Sequence, residues 1–252
     1  MCMNDSMGFD QHITIFSPQG RLLQLEYTIK ASQKFGSTCI ALRGQNSICF
    51  VLKSKKKLFH AKNTRDLNYI SLGNFKGSIC SGLSGDIHMQ LKNMIILSAD
   101  FYRAFGKKIS SENLAFQVSE KNQINTQQAF MRPLGIKTMI CGIEFEMGPQ
   151  LYKCDPSGQY FSKWLCAVGK KENLIEYYVE KFKNFKPGSW NYKQLIIIAL
   201  LIFMRIEGRE NTADDLNVII CKKNNYDFKK LNFSSIDTFL CLIKSLDIFS
   251  VN

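Results

Sequence analysis

Residues 8–27 read GFDQHITIFSPQGRLLQLEY, and the pattern of this stretch changes twice. The part from His12 to Phe16 alternates in the manner of a β-strand. Ser17 to Gly20 has Pro at the second position and Gly at the fourth, which is the composition of a β-turn. From Arg21 to about Gln33, apolar residues recur at helical spacing. The stretch therefore predicts an extended segment, a turn and a helix in succession.

Beyond this stretch, the periodicity predicts strands, two helices, strands, two helices and a final strand. The predicted strands are 38–42, 47–52, 69–72, 77–81, 136–145, 150–154, 160–168 and 216–221. The predicted helices begin after Ser84-Gly85, after a cap at Ser110 or Ser111, near Glu172 and after a cap at Ser189. Runs of strands separated by pairs of helices imply sheets that pack on each other with helices outside. The expected fold is therefore α+β, a four-layer α-β-β-α sandwich.

Length and composition suit one large domain. The chain has 252 residues, of which 45% are hydrophobic and 21% charged, so a large core needs no cross-link. No linker rich in Pro, Gly or Ser divides it. Residues 1–10 contain no apolar run, so no signal peptide is expected. The longest apolar stretch, Leu195 to Met204, is shorter than the roughly 20 residues of a bilayer span, which predicts a buried helix.

The cysteines and histidines predict neither disulfides nor a metal site. Nine cysteines, an odd number, are scattered without a C-x-x-C pair. This usage favours reduced thiols, mostly in the core, and a cytosolic or nuclear protein. His60 and His88 have no partner at the spacing of metal ligands. No cofactor is expected.

The formal net charge of +12 leaves a second class of function open, namely binding of nucleic acid or of an acidic partner. The lysines are spread along the chain, however, without the aromatic interleaving of single-strand-binding proteins. The one local cluster is formed by Lys53, Lys55, Lys56 and Lys57. It is interpreted as a solvated turn or, alternatively, as a localisation or docking patch.

Three blocks of the sequence resemble the α subunits of the proteasome core particle. The first is the motif Phe16-Ser17-Pro18-x-Gly20-Arg21-x-x-Gln24-x-Glu26-Tyr27. The other two are residues 131–135, similar to the family's Arg-Pro-x-Gly junction, and residues 148–158, similar to its Gly-Pro…Asp-Pro-x-Gly hairpin. The resemblance covers about residues 8–221. Among the paralogues, the sequence of these blocks most resembles that of the α type-6 subunit, which occupies the α1 position of the ring.

This resemblance implies the fold of amino-terminal-nucleophile hydrolases without their chemistry. In such enzymes a Thr, Ser or Cys becomes the chain terminus and its own amine serves as the base. The nearest candidates here are Gly36-Ser37-Thr38, and Lys53 stands near the position of an acidic residue in catalytic relatives. Thr38 is expected to be an ordinary strand residue. The alternative, an active peptidase, would require cleavage before Ser37 or Thr38.

The resemblance also implies a gate formed by the segment before the turn. The expected gate and ring contacts are Phe9, Asp10, Gln11, Pro18, Gly20 and Tyr27. Two of these depart from the family pattern, because Phe9 lacks the usual hydroxyl and Gln11 replaces a common Arg, so that a charge-assisted contact becomes neutral. The alternative is that both residues only line a subunit contact.

The partners that the resemblance implies are other proteasome α and β subunits and a regulatory ATPase particle or activators, with no membrane. Regulators dock into pockets where a lysine often meets a terminal carboxylate, and Asn68 occupies that position here, so the pocket is expected to be weak. Lys62 or Lys55 could compensate for the missing positive charge.

The expected location is the cytoplasm and nucleus. The single domain is divided into a gate tail and turn (1–20), a helix (21–33), a sandwich core (36–221) and a divergent segment (222–252).

Overall fold

The structure, a computed structural model, describes residues 12–54, 68–73, 75–181, 187–208, 212–223 and 228–245. The helices are α1 Leu23–Phe35, α2 Ser84–Phe105, α3 Ser111–Gln127, α4 Glu172–Glu180, α5 Tyr192–Glu207 and α6 Phe233–Ser245. The strands are β1 Cys39–Arg43, β2 Ser47–Lys53, β3 Tyr69–Ser71, β4 Lys76–Gly82, β5 Ile136–Glu144, β6 Gly148–Cys154, β7 Tyr160–Ser162, β8 Leu165–Val168, β9 Leu216–Lys222 and β10 Phe228–Lys230.

The strands form two antiparallel sheets. The first sheet has the order β10-β9-β2-β1-β8, and the second has the order β3-β4-β5-β6-β7. In the first sheet Cys39 lies opposite Leu52, and in the second Ser81 lies opposite Lys137. Because neighbouring strands in both sheets run antiparallel, short turns suffice for most connections within a sheet.

Strand β1 shows why the sheets must stack. Ile40 and Leu42 point to one side, where α4, α5 and α6 cover the first sheet, whereas Cys39 and Ala41 point to the space between the sheets. A third apolar cluster joins the outer face of the second sheet to α2 and α3. A sheet with two apolar faces must bury both of them. These three clusters separate four layers, and the predicted α-β-β-α sandwich is confirmed.

The predicted strand 160–168 is wrong, because it is two strands in different sheets. β7 pairs with β6 at the edge of the second sheet, and β8 pairs with β1 at the edge of the first. The chain crosses between the sheets at Lys163 and Trp164. An alternating pattern indicates which side chains are buried but not which sheet a strand joins.

Other boundaries also differ from the prediction. Residues 12–16 form no strand, and Ile15 and Phe16 are 42% and 61% exposed. The helix predicted from Ser189 begins after Asn191, whose side chain accepts from the Gln194 backbone N–H while the Gln194 side chain accepts from the Asn191 N–H. The predicted cap at Ser110 is confirmed by a 3.1 Å bond from Asn113 N to its hydroxyl.

The predicted final strand is not the last element. β10 pairs with β9, and the ring of Phe228 lies 6.2 Å from that of Phe50 between the sheets. Helix α6 then places Ile236, Leu240 and Ile243 in the cluster of the first sheet and α5. The segment that matched no sequence pattern thus completes a core layer.

Buried thiols are confirmed where the structure describes cysteines. The buried ones are Cys39, Cys49, Cys80, Cys141, Cys154, Cys166 and Cys221, and all are free thiols. Burial raises the pKa of Cys49 and of Cys80 to about 12, so both are inert thiols. Across the described ranges, no helix combines the length and apolarity needed to cross a membrane.

Candidate functional site

The junction of α1 with β1, at residues 36–38, lies between the two sheets. Gly36 ends the helix, and its N–H donates to the carbonyl of Ser32 at 3.1 Å. A Cβ at this position would lie 2.5 Å from both the Ser32 carbonyl and the Ser81 hydroxyl. Only glycine therefore lets the helix pass directly into the strand at such close approach.

Ser37 is held by two hydrogen bonds and one close backbone contact. Its carbonyl accepts a bond from the Ser81 hydroxyl at 2.7 Å, and its own hydroxyl accepts one from the Asn68 amide at 2.7 Å. Gly169 packs so closely that an added Cβ would lie 2.1 Å from the Ser37 carbonyl oxygen. The amide of Asn68 donates to this hydroxyl and cannot accept its proton through the same atom.

The side chain of Thr38 points away from that of Ser37, into an ion-pair cluster at the end of α5. It is 2% exposed, and its hydroxyl donates to Glu207 at 2.7 Å. The other oxygen of Glu207 accepts from Lys53 at 2.5 Å, and Lys171 lies 3.7 Å from the carboxylate. Burial acts to raise the pKa of Glu207, but the bonds from Lys53 and Thr38 outweigh burial and hold that pKa below its usual value.

This arrangement has a hydroxyl at each candidate position, and the one carboxylate that the described residues place against either hydroxyl is that of Glu207. A general base works best when its pKa lies near the operating pH. Glu207 has a lowered pKa and is paired with lysine, which makes it a weak proton acceptor.

The Glu207 cluster predicts a pH-dependent stability. Because its folded-state pKa is depressed, the carboxylate adds stability above its unfolded pKa, roughly 4.3, and that contribution is lost as pH falls through the folded pKa. We expect Glu207→Gln to cost about 1–2 kcal/mol at pH 7, since the partly exposed Lys53 is screened by water. Urea unfolding at pH 7 and pH 3 measures the two stabilities. Glu207→Gln should lose less stability than the wild type when the pH is lowered from 7 to 3. Glu120→Gln, on an exposed face of α3, is the control, and parallel behaviour of the two variants would contradict the assignment.

The turn at the amino-terminal end has the predicted geometry. Gly20 N–H donates to the Ser17 carbonyl at 2.8 Å, and Gly20 has a φ of +75°, which glycine adopts without strain. Arg21 N–H donates to the Ser17 hydroxyl at 3.1 Å. Pro18 and Gly20 are exposed, and Tyr27 on α1 is 44% exposed. The predicted contacts Phe9, Asp10 and Gln11 lie outside the described residues.

Asn68 is partly buried and lies just before β3, beside the junction. Besides its bond to Ser37, its carbonyl accepts the N–H of Cys80 at 2.8 Å, which anchors it beside β4. Lys55 and Lys62, the residues expected to compensate for its missing charge, lie outside the described residues, as do Lys56, Lys57 and His60. The structure thus joins two predicted positions, Ser37 and Asn68, that sequence reasoning treated separately.

Two family profiles match the chain. A profile described as "Proteasome subunit" matches residues 33–219, and one for the N-terminal signature of the A-type proteasome subunits matches residues 9–31. The chain belongs to the family of proteasome α-type subunits. The two profiles meet at α1, so the signature and the sandwich are parts of one matched sequence.

Individual relatives agree with this assignment. The proteasome alpha type-6 subunit of Caenorhabditis elegans is 30% identical over 98% of this chain and 100% of its own length. The probable proteasome alpha type-1 subunit of Schizosaccharomyces pombe is 33% identical over 72% of this chain and 75% of its own length. The alpha type-7-B subunit of Arabidopsis thaliana is 28% identical over 94% of this chain and 92% of its own length. The resemblance to α type-6 is confirmed, while types 1 and 7 match at similar identity.

Sequence reasoning missed the acidic partners in this α-type subunit. Glu207 lies 169 positions from Thr38, and no local pattern links them. Likewise Asp86, in the first turn of α2, accepts a bidentate pair of bonds from Arg132 and a bond from Gly135 N–H. The Arg132-Pro133 motif indicated the end of a helix, but not that its arginine would hold the following loop against α2. Among the described residues, no group of His, Cys, Asp and Glu could hold a metal ion.

Proposed function

We propose that this α-type subunit is a non-catalytic part of the α ring of the proteasome core particle. It helps assemble the ring, gates substrate access to the proteolytic chamber and docks regulators in ubiquitin-dependent protein degradation. The main support is the hydrogen bonding of the junction at residues 36–38, where Gly36 N–H donates to the Ser32 carbonyl at the end of α1. Its two hydroxyls are already bonded to Glu207 and Asn68.

The chemistry of this junction argues against hydrolysis by the subunit itself. An amino-terminal nucleophile needs a free amine at the residue that attacks. Here helix α1 and Gly36 precede Ser37, and the backbone hydrogen bond from Gly36 to Ser32 continues the helix up to the strand. Lys53 brings a positive charge to Glu207, where an attacking hydroxyl would need a free base. Hydrolysis is therefore assigned to β subunits.

The gating role is proposed for the amino-terminal segment. Pro18, Gly20 and Tyr27 are exposed on the described part of it, so their surfaces are accessible to neighbouring chains. Phe9, Asp10 and Gln11 precede them in the profile-matched signature. We assign these six residues to gate and ring contacts, with Gln11 forming a neutral contact in place of a charged one.

Regulator docking at this subunit is proposed to be weak. A terminal carboxylate is bound most strongly by a cation, and Asn68 supplies a neutral amide. That amide also donates to the Ser37 hydroxyl at 2.7 Å, which holds it against the junction. We further propose the α1 position in the ring and a location in the cytoplasm and nucleus, in keeping with the similarity to α type-6.

A gentle purification of this chain from its native cells, followed by intact mass spectrometry, tests the proposal. We expect the other α-type and β-type chains in equal amounts, with this chain uncleaved at residues 36–38. Cleavage before Ser37 or Thr38 would instead support an active peptidase. Recovery of the chain alone, or with nucleic acid, would support the alternative suggested by its positive charge.

The double variant Ser37→Ala/Thr38→Ala separates assembly from catalysis. If the subunit is non-catalytic, particles that contain the variant in normal amounts should hydrolyse peptides at the wild-type rate per particle. A loss of activity in fully assembled particles would overturn the proposal. A reduced yield of particles with unchanged specific activity would reflect only the loss of the hydrogen bonds at this junction.

A further inference from the structure

A cavity of about 370 Å3 lies at a corner of the sandwich. It opens where the turn between β1 and β2, the end of β9 and the start of α5 meet. Its lining residues are Asn46, Ser47, Trp190, Asn191, Tyr192, Lys222 and Lys223. Among the described residues, the lining contains two lysines and no acidic side chain, so these residues give it a positive charge. A cavity of this size is large enough for a small ligand.

The walls of the cavity are held by backbone contacts. A Cβ on Gly44 would lie 2.4 Å from a methyl carbon of Leu195 and 2.9 Å from the Trp190 carbonyl, so glycine lets the turn pack directly on α5. On the opposite wall, Lys223 N–H donates to the Asn46 carbonyl at 2.9 Å. The space between turn, strand and helix is thus built on fixed main chain.

Three sources of positive potential converge on this cavity. Helix α5 begins here at Tyr192, and the amino-terminal end of a helix carries a partial positive charge. The ammonium of Lys222 lies 3.4 Å from the centroid of the Tyr192 ring, which holds this lysine at the cavity. Lys223 lines the same space and is partly buried.

We propose that this cavity is an oxyanion-binding site, which takes a phosphate or a carboxylate between Lys222, Lys223 and the start of α5. Ammonium groups and helix termini both bind oxyanions through charge-assisted hydrogen bonds. The aromatic rings of Trp190 and Tyr192 add apolar surface for the group that carries the anion. The oxyanion is either a free small molecule or an acidic group of a peptide, and the two sources share this chemistry.

Calorimetric titration of the full-length chain with inorganic phosphate, at ionic strength held constant with chloride, tests the site. We expect saturable binding that Lys222→Gln/Lys223→Gln weakens by about tenfold or more. The matched control is Lys92→Gln/Lys121→Gln, which removes the same charge from exposed positions on α2 and α3 and should bind like the wild type. Equal weakening in both double variants, or no saturable binding of any probe, would overturn the proposal.

Two further arms complete the test. Lys223→Gln alone leaves the contact of Lys222 with Tyr192 in place, so a loss of binding in this variant cannot be attributed to misfolding of that pair. An acidic peptide with free carboxylates distinguishes the sources. Saturable binding of the peptide but not of phosphate supports a carboxylate site, and the reverse supports a phosphate site, provided that Lys222→Gln/Lys223→Gln weakens it.

Discussion

Replacing Glu172 with alanine is expected to destabilise the folded chain by about 3–5 kcal/mol, because it leaves two buried lysines without their shared carboxylate. Lys137 donates to Glu172 at 2.7 Å, and Lys153 donates to the same oxygen. The three side chains are only 8%, 5% and 3% exposed, in the order Lys137, Lys153, Glu172. Water therefore cannot replace the lost charge.

The cluster also joins separate parts of the sandwich. Lys137 and Lys153 belong to β5 and β6 of the second sheet, whereas Glu172 begins α4, which packs on the first sheet. Burial acts to lower the pKa of Lys153, but Glu172 and Glu176 outweigh burial and hold that pKa above its usual value. Removing Glu172 therefore takes away one of the two carboxylates that contact Lys153.

Urea unfolding at pH 7 measures this effect. Glu180→Ala is the matched control, since it removes the same side chain from an exposed position at the other end of α4, and its change should stay within about 0.5 kcal/mol. Adding Lys153→Met to Glu172→Ala should recover part of the loss, because it removes a buried charge that would have only Glu176 left as a carboxylate partner. A similar small change for Glu172→Ala and Glu180→Ala would show that the remaining contacts of Lys153 with Glu176 and of Lys137 with Asp155 are sufficient.

The second large effect is expected at Gly169, where alanine should destabilise the chain by about 2–5 kcal/mol. Gly169 has a φ of +99°, a conformation that strains any residue with a side chain. Its new Cβ would also lie 2.1 Å from the carbonyl oxygen and 2.7 Å from the carbonyl carbon of Ser37. Because these are backbone atoms, the start of β1 or the start of α4 must move.

Gly85→Ala is a control for which the opposite change in stability is expected. Gly85 lies in the first turn of α2, and a Cβ there meets no atom within 4 Å. Alanine in an open helical position is expected to stabilise the chain by about 0.5–1 kcal/mol. Thermal or urea unfolding of both variants gives the comparison. An equal change in stability for Gly169→Ala and Gly85→Ala would mean that the backbone at Ser37 moves to accept the new Cβ without a loss of stability.

Local patterns predicted most helices and strands of the sandwich. The turn at residues 17–20 needs only Pro18 and Gly20, and helix α3 needs only Ser110 as its cap, so short sequences sufficed for both. The same patterns misplaced the cap of α5 at Ser189, because Asn191 and Gln194 form the stronger reciprocal pair. They also missed α6, whose apolar residues matter only through their contact with α5 and the first sheet.

The candidate site could be predicted only in part. Ser37 and Thr38 were identified from the sequence, since they begin a strand after a helix and a glycine. Their partners could not be identified, because Asn68 and Glu207 come from distant parts of the chain. Contacts between such distant residues depend on how the strands pair and where the helices pack, and short stretches of sequence do not determine either.

The sequence by itself determined the turn-and-helix signature, the layered α+β class and the family, because turn residues, caps and hydrophobic periods act over a few neighbouring positions. The tertiary structure decided that residues 160–168 divide between two sheets and that the final segment completes a core layer. It also decided that Glu207 holds Thr38 and that Glu172 neutralises two lysines. These features depend on contacts between distant residues, which form only when burying both faces of each sheet brings the layers together.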